Sequence, residues 1–237
     1  MNQESKRHCA IVLMGPPAAG KGTIATVLSE KFGFEIITPG SIYREIREQT
    51  GELAELVRES LKDGGLCPDW LTNKLMLEEA DKRKEKRLIF DGFPRSNEQF
   101  SMLQESFNVG AYLHLDAPYQ LLEIFATNRI QCVSCKAVMS LTNANTWCDC
   151  LRQQIPDDFL ENPSATIPEG LWTTRHDDTP EIFAKRYKVY MEQTMPVIEK
   201  VRDLENYGKF QTLGDPDGVS KVTAWLEQLG VVSKQVI

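Results

Sequence analysis

Cys9-Ala10-Ile11-Val12-Leu13-Met14 runs directly into Gly15-Pro16-Pro17-Ala18-Ala19-Gly20-Lys21-Gly22-Thr23, and the fold follows from how these fifteen residues are read. Six apolar residues without alternation suit a strand covered on both faces of a parallel sheet. The next residues keep the spacing GxxxxGK, after which Ile24, Val27, Leu28 and Phe32 recur at helical intervals until Gly33. Strand, glycine turn and helix in that order make a phosphate loop. Its glycines let the backbone curl so that successive N–H groups point inward, and the helix N-terminus adds a dipole that favours an anion. Lys21 then reaches the β- and γ-phosphates of a nucleotide. A tight turn that merely happens to contain a lysine needs the spacing and both flanks to coincide by chance. Gly22 stands in the usual Ser/Thr slot of the motif, with Thr23 one residue later.

Leu88 to Phe90 and Ala111 to Leu115 are further apolar runs, separated from the first by helical patterns such as Leu71, Leu75 and Leu77. Thr179 and Pro180 suit a helix start, with Ile182, Arg186, Tyr187 and Tyr190 on one face. Phe210 to Leu213 reads as a last strand and Val219 to Leu229 as a closing helix. This alternation implies an α/β fold with a parallel sheet. Two stretches interrupt it without supplying a sheet strand of their own: Ser41 to Gly65, two short helical patterns joined at Thr50-Gly51, and Gln131 to Thr174, with four cysteines and weak periodicity. Long irregular segments of this kind are commonly functional lids. The three histidines, His8, His114 and His176, are assigned to solvent, packing and hinge positions.

At 237 residues one compact unit with insertions is expected. A net charge of -7 argues against general nucleic-acid or anionic-membrane binding, so any phosphate site must be locally basic. The start MNQESKRHC has no apolar signal core and no run approaches the roughly 20 apolar residues that span a bilayer, so a soluble cytoplasmic protein with no membrane partner is expected. Four of the six cysteines crowd between Cys132 and Cys150, which favours a metal site over disulfides.

Gly20-Lys21-Gly22-Thr23, Asp91-Gly92-Phe93-Pro94-Arg95, Thr38 to Arg44, Gly65 to Asp69, and Thr173 to Asp178 followed by Lys185-Arg186-Tyr187 together resemble the adenylate kinases of the nucleoside monophosphate kinase family, in the long-lid form with cysteines in the lid. The resemblance implies a P-loop core with a five-stranded parallel sheet over residues 1–37, 68–128 and 176–237, an NMP-binding subdomain at 38–67 and a lid at 129–175. It implies the reaction ATP + AMP = 2 ADP in a monomer, with Mg²⁺ accompanying ATP. ATP would lie on Gly15, Ala18, Ala19, Gly20, Lys21, Gly22, Thr23, Phe125 and Arg129. AMP would meet Arg44, Gly92, Arg95, Gln99, Arg175 and Arg186. Lys21, Asp91, Arg95, Arg129, Arg175 and Arg186 would carry the transfer, Asp91 through the water shell of Mg²⁺ and Gln99 at the acceptor adenine. Arginine suits this role because its planar fork binds phosphate oxygens bidentately, and phosphoryl transfer needs no covalent nucleophile.

Several positions depart from the family pattern. Ala18 replaces a common glycine, which is tolerable where φ is negative. Pro39 and Ser41 replace threonine and aspartate, which leaves the acceptor base open. Phe125 replaces an arginine that lies over the donor base; it either stacks on that base, with loose discrimination between ATP and GTP, or joins the core beside Leu121 and Leu122. Cys132-x2-Cys135 and Cys148-x-Cys150 match a four-ligand Zn²⁺ site except that the second pair is one residue short; the alternative is four reduced cysteines. Leu151 to Trp172 is an expansion with no assigned role. The competing functions are a related kinase with another acceptor or a GTP donor, and a non-catalytic nucleotide-binding regulator that has kept the fold.

Overall fold

The computed structural model describes residues 7–135, 137–141, 148–154, 170–175 and 178–233. Numbered along the chain, β1 (Arg7–Met14) lies at the centre of a five-stranded sheet in the order β2 (Glu35–Ile37), β3 (Leu88–Asp91), β1, β4 (Phe107–Leu115), β8 (Tyr207–Phe210). All four pairings are parallel. The two-residue period of a strand sends Ile11 and Leu13 to one face and Ala10, Val12 and Met14 to the other. On the first face they meet Ile24 and Leu28 of α1 (Lys21–Phe32), Leu122 of α6 (Tyr119–Thr127), Phe183 of α8 (Pro180–Val189) and Leu226 of α10 (Gly218–Gln228). On the second they meet Met76 of α4 (Asp69–Asp81), Phe100 of α5 (Asn97–Ser106) and Val197 of α9 (Met195–Val201). Helices on both faces explain why β1 carries no polar alternation.

Helix boundaries follow local chemistry. Gly33 ends α1 at φ +70°, its N–H donating to Ser29 O at 2.9 Å. Thr38, Ser96 and Thr179 cap α2 (Pro39–Arg47), α5 and α8, and proline fills the first position of α2 and α8. Between α8 and α9 the chain takes one π-helical segment, Tyr190–Thr194. This wider turn re-aims the helix: Phe183 packs on one face of the sheet and Tyr190 on the other. His114, at the end of β4, is buried with Nδ1 2.8 Å from the Tyr207 hydroxyl and Nε2 3.1 Å from that of Tyr190. Burial pulls its pKa down to about 4, so it packs as a neutral ring. Of the other two histidines, the side chain of His8 and the whole of His176 lie outside the described residues.

At four points the structure corrects or completes what the sequence conveys. Glu35–Ile37 is a strand that three residues are too few to reveal by period. The last strand is Tyr207–Phe210 rather than Phe210 to Leu213; Gly208, whose Cβ would lie 2.6 Å from the Phe210 ring and 2.9 Å from that of Trp225, broke its apolar pattern. The stretch from Gln131 to Thr174 does form strands: β5 (Arg129–Cys132), β6 (Val138–Ser140) and β7 (Trp172–Thr173) pair antiparallel in a separate sheet in the order β6-β5-β7. Strands of two to four residues leave no alternation to read. A small cluster of Ile130, Cys132, Met139 and Leu151 sits on that sheet, Leu151 coming from α7 (Asp149–Arg152). Most of the Leu151 to Trp172 expansion, residues 155–169, lies outside the described residues. Ala18, fourth, has φ +64°, not the negative angle that would relieve its methyl group.

The two helices expected between Ser41 and Gly65 are α2 and α3 (Glu52–Ser60), and they share a cluster of their own formed by Tyr43, Ile46, Ala54, Val57, Cys67 and Leu71. Among the described residues no helix is long and apolar enough to cross a membrane.

Candidate active site

β1 and β3 are neighbours, with Leu13 opposite Asp91, so the loops that leave their carboxyl ends emerge side by side. The Gly92 N–H donates to Leu13 O at 3.1 Å and locks the two exits together. Open parallel sheets place ligands at such an edge. Gly15 turns the chain at φ +138°, where a Cβ would lie 2.0 Å from Leu115 O, so no side chain fits. Gly20, at φ +83°, caps α1 without a side chain and leaves the first N–H groups of the helix facing the loop.

Lys21 folds back over this loop, its Nζ donating to Gly15 O at 2.9 Å and Pro16 O at 2.7 Å. Burial pulls its pKa from 10.5 to about 8; Asp91 opposes the fall, whereas Arg95, Arg186 and Arg129 add to it. Burial raises the carboxyl of Asp91, against the pull of Lys21, Arg95 and Arg175. These two environments bring together Lys21, Asp91, Arg95, Arg129, Arg175 and Arg186, which the sequence scatters over 166 positions. Five cations against Asp91, and against Asp178 paired to Arg129, make a basic pocket in a chain whose net charge is -7. Such a field selects polyanions. A Cβ on Gly22 would stand 3.9 Å from Asp91 Oδ2, so the glycine in the Ser/Thr slot leaves space beside that carboxylate. Thr23 follows on the exposed side of the first turn of α1.

The cations are held by different means. Arg95 donates from Nε to Gly92 O at 2.7 Å, and burial lowers its pKa. Arg129, at the start of β5, makes a bidentate pair with Asp178, Nε to Oδ2 at 2.8 Å and Nη2 to Oδ1. Asp178 is 3% exposed in its side chain and Arg129 19%, so the pair ties together the two ends of the 129–178 excursion where water screens poorly. Arg186 lies over the 3₁₀ turn Lys62–Gly64: a Cβ on Gly64 would come within 2.8 Å of its Cγ. Arg44 is exposed on α2, its Nη1 3.3 Å from where a Cβ of Gly40 would be, and is the one predicted arginine outside the charge cluster.

Beside Arg95 a narrow crevice is lined by Pro39, Tyr43, Leu66, Cys67, Thr72 and Gln99. The Tyr43 hydroxyl is 2.6 Å from Thr72 Oγ1, which donates to Pro68 O at 3.1 Å; Thr72 has one proton, so Tyr43 is the donor to it. Gln99 is buried, its Oε1 accepting from the Arg95 N–H at 2.8 Å and its Nε2 donating to Asp69 Oδ1 at 2.7 Å. Phe125 is half-buried with its ring against the main core cluster, which supports the core reading over the stacking one.

In the smaller sheet the sulfur atoms of Cys132, Cys135, Cys148 and Cys150 all lie within 4.8 Å of one another. Tetrahedral coordination at about 2.3 Å per sulfur needs separations of about 3.8 Å, a small contraction. The sulfur of Cys132 accepts backbone hydrogen bonds from Cys135 and Ser134, which lower its pKa and favour a thiolate, whereas burial raises Cys148 and the adjacent Cys135 sulfur raises Cys150. The donor set is fit to hold a metal ion.

A family model described as adenylate kinase matches residues 13–205, which contain the phosphate loop, the 91–95 turn and every arginine of the cluster. The chain belongs to the adenylate kinase family. An adenylate kinase of Thermosipho melanesiensis is 33% identical over 217 residues, 89% of this chain and 95% of the relative. Another, from Kosmotoga olearia, is 31% identical over 225 residues, 92% and 96% of the two chains. A third, from Pseudothermotoga lettingae, is 34% identical over 195 residues, 80% and 84% of the two. Two further positions sit inside the motifs with no contact legible from sequence: Asp178, which engages Arg129, and Asp69, which engages Gln99. Asp69 opens α4 directly after Pro68 and reads from sequence as a first-turn acid. Nothing local reveals a contact thirty positions away. Thr194, whose Oγ1 donates to Arg95 O at 3.3 Å, was missed for the same reason.

Proposed function

We propose that Lys21, Asp91 and the arginines around them carry out the adenylate kinase reaction in this chain, ATP + AMP = 2 ADP, with MgATP as donor. The carrying observation is that six charged groups from distant segments meet at the carboxyl ends of β1 and β3, beside a crevice that Gln99 helps to line. The polyphosphate lies along residues 15–23, its oxygens taking the N–H groups that the loop directs inward and drawing Lys21 Nζ from the Gly15 and Pro16 carbonyls. Asp91 accepts from the water shell of the Mg²⁺ that enters with ATP, in the space beside Gly22. AMP places its base in the crevice and its phosphate at Arg95, with Arg44 closing from α2.

Arg129, Arg175 and Arg186 stabilise the charge on the moving phosphoryl group, and no residue has to form a covalent bond. Arg129 reaches it with Nη1, because Nε and Nη2 serve Asp178. In this reading residues 38–67 form the acceptor subdomain and 129–175 the lid. The lid excludes water, which would otherwise compete with AMP. Cys132, Cys135, Cys148 and Cys150 hold a structural zinc that braces the lid sheet and takes no part in the transfer. The protein acts as a cytoplasmic monomer.

Replacing Lys21 by alanine tests the assignment. Removing one such stabilising group costs about 2.7–4 kcal/mol in transition-state stabilisation, so kcat should fall by two to three powers of ten or so while the circular dichroism and melting of the protein persist. A folded Lys21→Ala protein with near-normal turnover contradicts it.

A further inference from the structure

We propose that Asp69 is a positioning residue for acceptor selection: it fixes the orientation of the Gln99 amide and so sets which base edge the crevice accepts. The proposal rests on the reading above that Gln99 meets the acceptor base. At an ordinary glutamine the two ends of the amide are interchangeable within the same electron density, and its orientation is an assignment. Here both neighbours are obligate. The Arg95 backbone N–H can only donate, so Oε1 must face it at 2.8 Å, and a carboxylate such as Asp69 only accepts, so Nε2 must face it at 2.7 Å. The amide is buried, and water cannot substitute for either partner without cost.

What remains for a ligand is then defined. Nε2 keeps one N–H and Oε1 keeps one lone pair, a donor beside an acceptor. Adenine offers the matching edge, N1 as acceptor and the N6 amine as donor. Hypoxanthine offers the reverse, N1–H as donor and O6 as acceptor, and meets Gln99 donor to donor and acceptor to acceptor. Among the residues lining the crevice, Tyr43 spends its proton on Thr72, so its hydroxyl does not compete as a donor to the base. Asp69 itself does not line the crevice and acts through Gln99. Ser96 completes the arrangement by accepting from the Gln99 N–H at 3.2 Å, which holds the residue in the first turn of α5. The glutamine at this third helical position reaches back, but to the Arg95 N–H rather than to that of the cap. The same segment therefore aligns the guanidinium of Arg95 and the base-reading amide.

The test compares Asp69→Ala, Asp69→Asn and Gln99→Ala with wild type, using AMP and IMP as acceptors at saturating MgATP. Asp69→Ala is expected to raise the AMP KM roughly three- to tenfold, the size of effect of losing one polar tether. The effect should fall on the AMP KM more than on kcat or on the ATP KM. The ratio of kcat/KM for AMP over IMP should narrow, because an amide held at one end can turn. Asp69→Asn should restore most of both, since its Oδ1 accepts the same bond. A purely structural role for Asp69 moves stability and leaves the AMP/IMP ratio alone. If Asp69→Ala does not fold, Asp69→Ser, compatible with the helix start but too short to reach Nε2, carries the same test. An unchanged AMP KM and AMP/IMP ratio in the Asp69 variants, with both altered in Gln99→Ala, overturns the proposal while leaving Gln99 as a base contact. An unchanged AMP KM in Gln99→Ala overturns the underlying reading itself.

Discussion

Raising the pH from 7.5 to 9 should weaken MgATP binding through Lys21 alone. Its ammonium is buried and donates to the Gly15 and Pro16 carbonyls, and burial pulls its pKa from 10.5 to about 8, a fall that Asp91 opposes and Arg95, Arg186 and Arg129 deepen. That fall corresponds to roughly 3 kcal/mol between the two protonation states. A polyphosphate requires the charged form and restores the ordinary value. Roughly three-quarters of Lys21 is charged at pH 7.5 and roughly one-tenth at pH 9, so the MgATP Kd should rise roughly eightfold, with uptake of close to one proton per nucleotide bound at the upper end. The effect on folding has the opposite sign. The unfolded lysine keeps its proton up to 10.5, so between about 8 and 10.5 the unfolded chain binds more protons than the folded one, and stability rises with pH through that window. Titration calorimetry with MgATP, in two buffers of different ionisation enthalpy, reads both the Kd and the proton count. Lys21→Met should bind more weakly and lose the pH dependence. A wild-type Kd equal at pH 7.5 and 9, with no buffer-dependent heat, would refute the reasoning.

Ala18 sits at φ +64°, a conformation that costs a side-chain-bearing residue roughly 1 kcal/mol, so Ala18→Gly should raise the unfolding free energy by up to about 1 kcal/mol in urea titrations, and a loss of stability would contradict the strain. Phe125→Ala should cost about 1–2 kcal/mol of stability, less than the loss at a fully buried phenylalanine, and Phe125→Leu should recover most of it with a donor KM within about twofold of wild type. A severalfold rise in that KM for Phe125→Leu would instead give the ring a base-stacking role. The protein should carry about one zinc per chain by elemental analysis, and chelation should lower the protease resistance of the 129–175 segment before that of the core; metal-replete protein with no bound metal rejects the site.

The part of this molecule that sequence conveys best is the part whose chemistry is local. Fifteen contiguous residues carry β1, the phosphate loop and the start of α1, because an unbroken apolar run, glycines at fixed offsets and a helical period are each written in adjacent positions. Ala18 is the exception inside it: the residue type departs from the pattern, and only the backbone reveals that the departure is strained rather than relieved. The strands Glu35–Ile37 and Trp172–Thr173 were illegible because two or three residues cannot display a period, and pairing rather than propensity makes them strands. The site divides in the same way. Lys21, Asp91 and Arg95 lie in motifs that adjacent residues display, whereas Asp69 with Gln99 and Thr194 with Arg95 are contacts between elements, invisible until the packing of α4, α5 and the π-helical turn is known.

The central claim is that the charge cluster at the ends of β1 and β3 passes a phosphoryl group to AMP rather than to water. Following ATP, AMP, ADP and orthophosphate together by ³¹P NMR tests this directly. With wild type the account predicts two ADP formed for each AMP consumed, little orthophosphate, approach to the same equilibrium from ADP alone, and loss of all three with Lys21→Ala. Orthophosphate released at a rate indifferent to AMP, or no ADP formed from ATP and AMP by the folded protein, would contradict it.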